Sequence, residues 1–368
     1  MVGAIPLTLG YDPVLDYNTS KLKRFNRGDE VLMAKKRTTL ADVAKFSGVS
    51  PATVSLVYNN HPLGKRLSDE TVKKVREAIA KLDYRPQQAA RNLATGTTGN
   101  IGLLIPFSDE LSREEPWLLE VMGGIIGVVS PHGYNFMLSI SADSGSHVSY
   151  QNIAQSSQVD GLILYSPELR DLSIKSLEGT NLKFILCGKN PHLPQASFVD
   201  LDNVALGYEA TAKFITRGHS KIAFVHASLE YQSYLERYRG YRKALEEAGL
   251  REELLLLGKN AFSEAIVESI SRGTTAFFLA HAAASPLVYE AAKKSGKKIP
   301  EDVSLLAADD LPVAPFLTPP LSCFRLPHRM LGECAAKNLL ANISGEGQGE
   351  IQQLLDFAYV ERGSVAKT

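Results

Sequence analysis

Few residues of this chain are spaced for bond-making chemistry. The three cysteines (Cys187, Cys323 and Cys334) show no ligand spacing, and the histidines are scattered without an HExxH or CxxC pattern. The Gly-rich run near residue 345 lacks the strand and lysine of a phosphate loop. No catalytic residue, metal or organic cofactor is expected. The spacing that does carry chemistry is one of contact. Ser50 is a good N-cap, and Pro51 sits at the first helical position, where a missing N–H costs nothing. On the helix Pro51–Asn59 that follows, Val54, Val57 and Tyr58 form an inward face and leave Ala52, Thr53, Ser55 and Leu56 outward. Leu40, Val43, Ala44 and Ser47 recur at helical spacing just before it, and Gly48-Val49 supplies the turn. A helix pair of this kind enters the major groove by the N-terminal residues of its second helix. Thr39, Ser50, Pro51, Ala52, Thr53, Ser55, Leu56 and Asn59 are its candidate DNA contacts.

A third helix is expected after Ser68, with Asp69 and Glu70 in its first turn and Val72, Val75, Ile79 and Leu82 as its apolar stripe. Charge supports the nucleic-acid reading. Residues 34–98 hold twelve Lys/Arg against five Asp/Glu, a net of +7, although the chain sums to zero. Residues 1–33 hold four of each sign, so the remainder carries −7. A basic module on an acidic body favours phosphate contact by the module alone. Residues 1–33 contain no long apolar run, which argues against a secretory signal or membrane anchor. They read as a disordered leader or upstream-start extension. Cysteine usage suits a reducing, cytoplasmic setting.

Beyond the helices stands LDYRPQQAARNLATG and then the strand-like IGLLIP. Together with VAKFSGVSPATVS, these segments resemble the LacI/GalR family of transcriptional regulators, and the resemblance runs from about Thr38 to Arg362. It implies a DNA-binding domain over 34–83 and a hinge over 84–98 that becomes a short helix on operator DNA. In the hinge, Leu93 would wedge into the minor groove, with Ala90 on the same face and Arg85 and Arg91 as further contacts. One or two helical turns are marginal in isolation, which suits an order–disorder switch. One residue departs from the family: many relatives carry an Arg where this chain has Leu56. Leucine offers no donor to guanine and suits a thymine methyl.

The rest of the chain alternates strand-like and helical runs, which implies α/β architecture with parallel sheets flanked by helices. The resemblance adds a two-lobed body like that of periplasmic binding proteins. The N-lobe would hold about 99–199 and 325–356, and the C-lobe 200–324 and 357–368, with crossovers near Val199, Arg325 and Phe357. It also implies an effector in the interlobe cleft. Arg237, three residues before Gly240, matches the family's effector arginine, with Ser233, Asp309 and Phe198 at matching positions. Phe107 and Trp117, in the loop after the first strand, are added as candidate walls. A guanidinium, a carboxylate and aromatic faces suit a sugar-like small molecule. A second departure places His281 and Ala282 where relatives carry Asn-Asp; His281 is either a ligand contact or a satisfied loop histidine. The expected function is an operator-binding regulator, a homodimer because two-fold operators need one. Two alternatives stay open: control by a protein corepressor, and a two-lobed metabolite sensor without a DNA role.

Overall fold

The computed structural model describes residues 38–60, 62–84, 96–105, 117–140, 150–156, 158–226, 230–256, 262–347 and 349–366. Residues 1–33, the hinge residues Arg85, Ala90, Arg91 and Leu93, and Phe107 lie outside them. The chain separates into two compact units, residues 1–87 and 88–368.

The described residues of the first unit form a headpiece of three α-helices: α1 (Leu40–Ser47), α2 (Pro51–Tyr58) and α3 (Asp69–Lys81). Each helix begins where a side chain can satisfy its orphan N–H groups. Thr39 and Asp42 form a reciprocal capping box on α1, Ser50 Oγ accepts from Thr53 N at 3.1 Å, and Ser68 Oγ accepts from Thr71 N at 3.3 Å. Gly48 ends α1 at φ +69°, the left-handed turn that brings α2 around. Val43, Ala44, Val54, Val57, Val75, Ala78 and Tyr84 form the core, with Leu40, Val72, Ile79 and Leu82 packed against it. Tyr58 departs from the expected inward face. It is 40% exposed, and its ring meets the edge of Tyr84 with centroids 5.8 Å apart. At the last residue of so short a helix, the α3 exit takes the place that the helical period assigns to Tyr58.

The second unit contains two six-stranded sheets. One has the order β11–β5–β4–β3–β1–β2, all parallel: β1 (Asn100–Ile105), β2 (Asn135–Ile140), β3 (Gly161–Tyr165), β4 (Lys183–Cys187), β5 (Phe198–Leu201) and β11 (Gln352–Leu355). The other has the order β12–β10–β9–β8–β6–β7. It comprises β6 (Ile222–His226), β7 (Glu253–Leu256), β8 (Ala276–Leu279), β9 (Ser304–Ala308), β10 (Ser322–Arg325) and β12 (Ala358–Val360), parallel except for β12 against β10. Strands buried on both faces read as near-continuous apolar runs, which is why Gly161–Tyr165 and Ile222–His226 are buried throughout. The chain crosses between sheets after β5, after β10 and between β11 and β12. Val199, Leu201, Phe324 and Leu326 at these crossings belong to one buried cluster with Ile101 and Phe224.

The flanking helices are α4 (Leu118–Val129), α5 (Tyr150–Gln155), α6 (Asn203–Ile215), α7 (Gln232–Glu247), α8 (Phe262–Ser271), α9 (Ser285–Lys294) and α10 (His328–Ser344). Two helix pairs cross at bare backbone. A Cβ on Gly207 of α6 would lie 2.0 Å from Arg237 O, and one on Gly240 of α7 would lie 2.0 Å from Val204 O. Gly124 and Gly332 do the same for α4 and α10, at 2.1 Å from Arg329 O and Val121 O. No side chain fits at these contacts, so both pairs depend on a missing Cβ.

Candidate effector cleft and DNA-reading face

The carboxyl ends of β3, β4 and β5 meet the first turns of α6, α7 and α10 and the residue after β9. Crevices at strand ends are where open α/β sheets bind ligands. A small pocket of about 60 Å³ opens there, lined among others by Trp117, Tyr165, Asp200, Asn203, Ser233, Tyr234, Arg237, Asp309 and His328. A larger one of about 610 Å³ adjoins it along residues 325–330 and 356–358, and shares Trp117, Asp309 and His328 as a common wall.

Arg237 is buried. Its Nε donates to Asn203 Oδ1 at 2.9 Å, its Nη1 donates to the carbonyl of Ala280, and its guanidinium lies 5.5 Å from the Tyr234 ring centre. Asn203 in turn donates to Asp200 Oδ1 at 3.2 Å. Asp309 takes the left-handed backbone at φ +77°, a conformation Asp tolerates better than most residues. Its Oδ1 lies 2.6 Å from His328 Nε2. Burial pushes the Asp309 carboxyl up, but the His328 hydrogen bond and the nearby charges of His328, Arg237 and His281 hold it below the usual range. Trp117 donates its indole N–H to Tyr165 Oη at 3.0 Å and stacks on His328, ring centres 5.3 Å apart. Contacts run from residues 169–189 to residues 230–236 beside the cleft. Leu169 N donates to Glu230 O at 2.9 Å, Arg170 pairs with Glu230 at 2.9 Å, and Lys189 pairs with Glu236 at 2.7 Å.

Of the expected effector residues, Trp117, Ser233, Arg237 and Asp309 come together here. Phe198 does not. It opens β5, whereas the pocket lies at that strand's other end, and its ring packs with Leu104, Leu162 and Leu186, with Lys189 Nζ 5.9 Å from its centre. His281 is buried 4.8 Å from the Trp117 ring but lines neither pocket; its Nδ1 accepts from Ala283 N and caps the short turn 282–284. Asp200, Asn203, Tyr165, Tyr234 and His328 were not among the expected residues. The signals were an Asp and an Asn three apart at a strand end, and a His directly after a crossover strand. Among the described residues no cluster of three or more His, Cys, Asp or Glu could hold a metal ion, and no helix is long and apolar enough to cross a membrane.

On the headpiece, Pro51, Ala52 and Asn59 are exposed, and Thr53, Ser55 and Leu56 are half-buried. Thr39 and Ser50 are engaged as caps, and Asn59 Nδ2 donates to Ser55 O at 3.0 Å. Leu56 is less outward than its spacing implied. The turn at Pro62–Arg66 packs over it, with the Cβ position of Gly64 3.2 Å from Leu56 O. What stays accessible is hydrocarbon, without a donor for guanine O6 or N7. Leu56→Arg is therefore expected to shift preference toward G at one base pair per half-site, by about 1–3 kcal/mol. Selection from a random oligonucleotide pool checks this; an unchanged motif in the variant removes position 56 from base reading.

Comparison with known proteins agrees with this architecture. Residues 39–87 match the family model described as bacterial regulatory proteins, lacI family, and residues 211–365 match that of a periplasmic binding protein-like domain. The HTH-type transcriptional repressor PurR of Aliivibrio fischeri (strain MJ11) is 30% identical over 316 residues, covering 83% of this chain and 91% of that protein. The HTH-type transcriptional regulator CelR of Thermobifida fusca is 29% identical over 339 residues, covering 90% and 99%. A solved complex of the transcriptional regulator CelR with cellobiose superposes with a TM-score of 0.66 at 27% identity, over 89% of this chain and all of that one. The lac repressor dimer bound to operator and the anti-inducer ONPF shares the fold, with a TM-score of 0.74 at 23% identity over 90% and 100% of the two chains. With its helix-turn-helix headpiece and two-lobed body, the chain belongs to the lacI family of DNA-binding bacterial transcription regulators.

Proposed function

We propose that this chain is a cytoplasmic repressor, and not an enzyme, that binds a palindromic operator as a homodimer and answers to a sugar-like effector in the interlobe cleft. The observation that carries the reading is the convergence of Arg237, Asp309 and Trp117 from three separate elements on one pocket between the two sheets. A guanidinium and a carboxylate bridge hydroxyls, and an indole packs on the C–H face of a ring. The cellobiose held by CelR supports a sugar as the ligand, and the lac repressor dimer on its operator supports the assembly. Phe316, 84% exposed, and Val313, 47% exposed, leave an apolar face of the kind a partner copy covers. Leu93 is the minor-groove wedge of this reading, with Ala90, Arg85 and Arg91 as further DNA contacts, and Ser50, Pro51, Ala52, Thr53, Ser55 and Leu56 are the major-groove contacts. Operator selection followed by gel shifts with a panel of neutral sugars tests the whole. A two-fold motif whose occupancy changes with one sugar is the expected result. A chain that selects no motif is no regulator, and one that selects a motif but ignores every sugar has another effector class.

A further inference from the structure

Among the described residues, the cleft holds a buried carboxylate oxygen that no protein group answers. Asp200, the third residue of β5, is 5% exposed and lines the small pocket. Its Oδ1 accepts from Leu201 N at 2.7 Å and from Asn203 Nδ2 at 3.2 Å. Its Oδ2 is buried without a hydrogen-bond partner among the described residues. A buried carboxylate oxygen left dry is costly, and neither nearby cation hydrogen-bonds to it. Lys189 pairs with Glu236, and Arg237 is turned to Asn203 and the Ala280 carbonyl.

We propose that Asp200 is the anchoring and specificity residue of the effector site: Oδ2 accepts an O–H of the ligand, which selects neutral polyols and refuses a phosphorylated or other anionic group at that place. This rests on the cleft being the effector site and goes further by naming what it admits. The pocket's two carboxylates, Asp200 and Asp309, take hydroxyl donors, and Arg237 supplies donors to a neighbouring oxygen, so vicinal hydroxyls fit. A phosphate would meet Asp200 with charge against charge. Asp200 also stands where the chain leaves the first sheet for the second, so a ligand bound to it is bound to a crossover strand.

A second consequence needs no ligand. Burial raises the Asp200 carboxyl to about 6, against the lowering effect of the Leu201 N–H and of Lys189 and Arg237; Glu236 adds to the rise. The thiol of Cys187, also facing the pocket, is itself pushed up by burial and by Asp200. The folded chain then binds this proton more tightly than the unfolded chain. Asp200 therefore stabilises the fold below the ordinary carboxylate range, and that contribution is lost as pH rises through about 6.

The test uses the full chain and its Asp200→Asn and Asp200→Ala variants. In thermal unfolding without ligand, Asp200→Asn should gain several degrees over wild type at about pH 7.5, and the gain should shrink steadily as pH falls toward about 4. Parallel pH profiles would overturn the unpaired buried carboxylate. In calorimetry with glucose, cellobiose, maltose and glucose 6-phosphate as probes, a neutral sugar should bind wild type better than the phosphate does. Both variants should then lose about tenfold or more in affinity. Asp200 variants that bind like wild type, while Arg237→Ala does not, would leave the effector cleft standing and remove Asp200 from it. Preference for the phosphate overturns the proposed selectivity. If no probe binds wild type at millimolar concentration, this proposal and the sugar-cleft reading fall together.

Discussion

Gly207→Ala is expected to cost about 3 kcal/mol of stability and to abolish the effector response, though residue 207 itself touches no ligand. Its new Cβ would lie 2.0 Å from Arg237 O and 2.9 Å from Arg237 Cα, so α6 and α7 must separate. Backbone cannot rotate away as a side chain does. The intrinsic gain from replacing a helical glycine, up to about 1 kcal/mol, is too small to offset the clash. The displaced helix is the one that carries Ser233, Tyr234 and Arg237, and the 2.9 Å bond from Arg237 Nε to Asn203 bridges the same two helices one turn away. Stability and response should therefore fall together. Thermal unfolding and effector titration of the variant check this. A melting temperature within a degree of wild type would mean that α6 and α7 do not cross at bare backbone.

That crossing was invisible in the sequence, and the reason is physical. Glycine inside a helical pattern reads as a mild penalty. Nothing in one chain's periodicity says that Gly207 meets the backbone of Arg237, or Gly124 that of Arg329, because the information lies in the partner helix. Local signals, by contrast, were legible. Ser50-Pro51 fixed the start of α2, Ser68 that of α3, and buried runs such as IAFVH gave strands that needed no partner to be recognised. A family motif singled out Arg237 and Asp309, and the fold brings both to one pocket. A motif says less where strand geometry decides. Phe198 and Leu201 sit on one short strand, yet only the residues at its carboxyl end reach the pocket. His281 and His328 posed the same difficulty. Both flank Trp117, but His281 spends its Nδ1 on a turn, while His328 meets Asp309. Which histidine faces a carboxylate is a tertiary fact.

Arg237→Ala should remove effector response while leaving operator binding in place, which would lock the repressor on DNA if the effector is an inducer. Among the described residues, two of the guanidinium's five N–H donors are engaged, at Asn203 and Ala280. The rest remain for a ligand in the pocket that Arg237 lines. Losing a charge-assisted partner should weaken binding by about 1.5–3 kcal/mol, roughly ten- to a hundredfold. The fold pays separately. Asn203 Oδ1 and the Ala280 carbonyl each lose their donor, and the Asp309 carboxyl loses one of the charges that hold it low. Stability should drop by about 2–4 kcal/mol. The two effects separate with Arg237→Lys. An ammonium keeps the charge beside Asp309 but cannot present the planar fork that reaches Asn203, the Ala280 carbonyl and a ligand at once. Lysine should therefore recover part of the stability and little of the affinity. Calorimetry with the bound sugar, beside melting curves of all three chains, decides between the roles. Full affinity in the lysine variant would make Arg237 a positioning charge for Asp309, with the ligand held by the carboxylates alone.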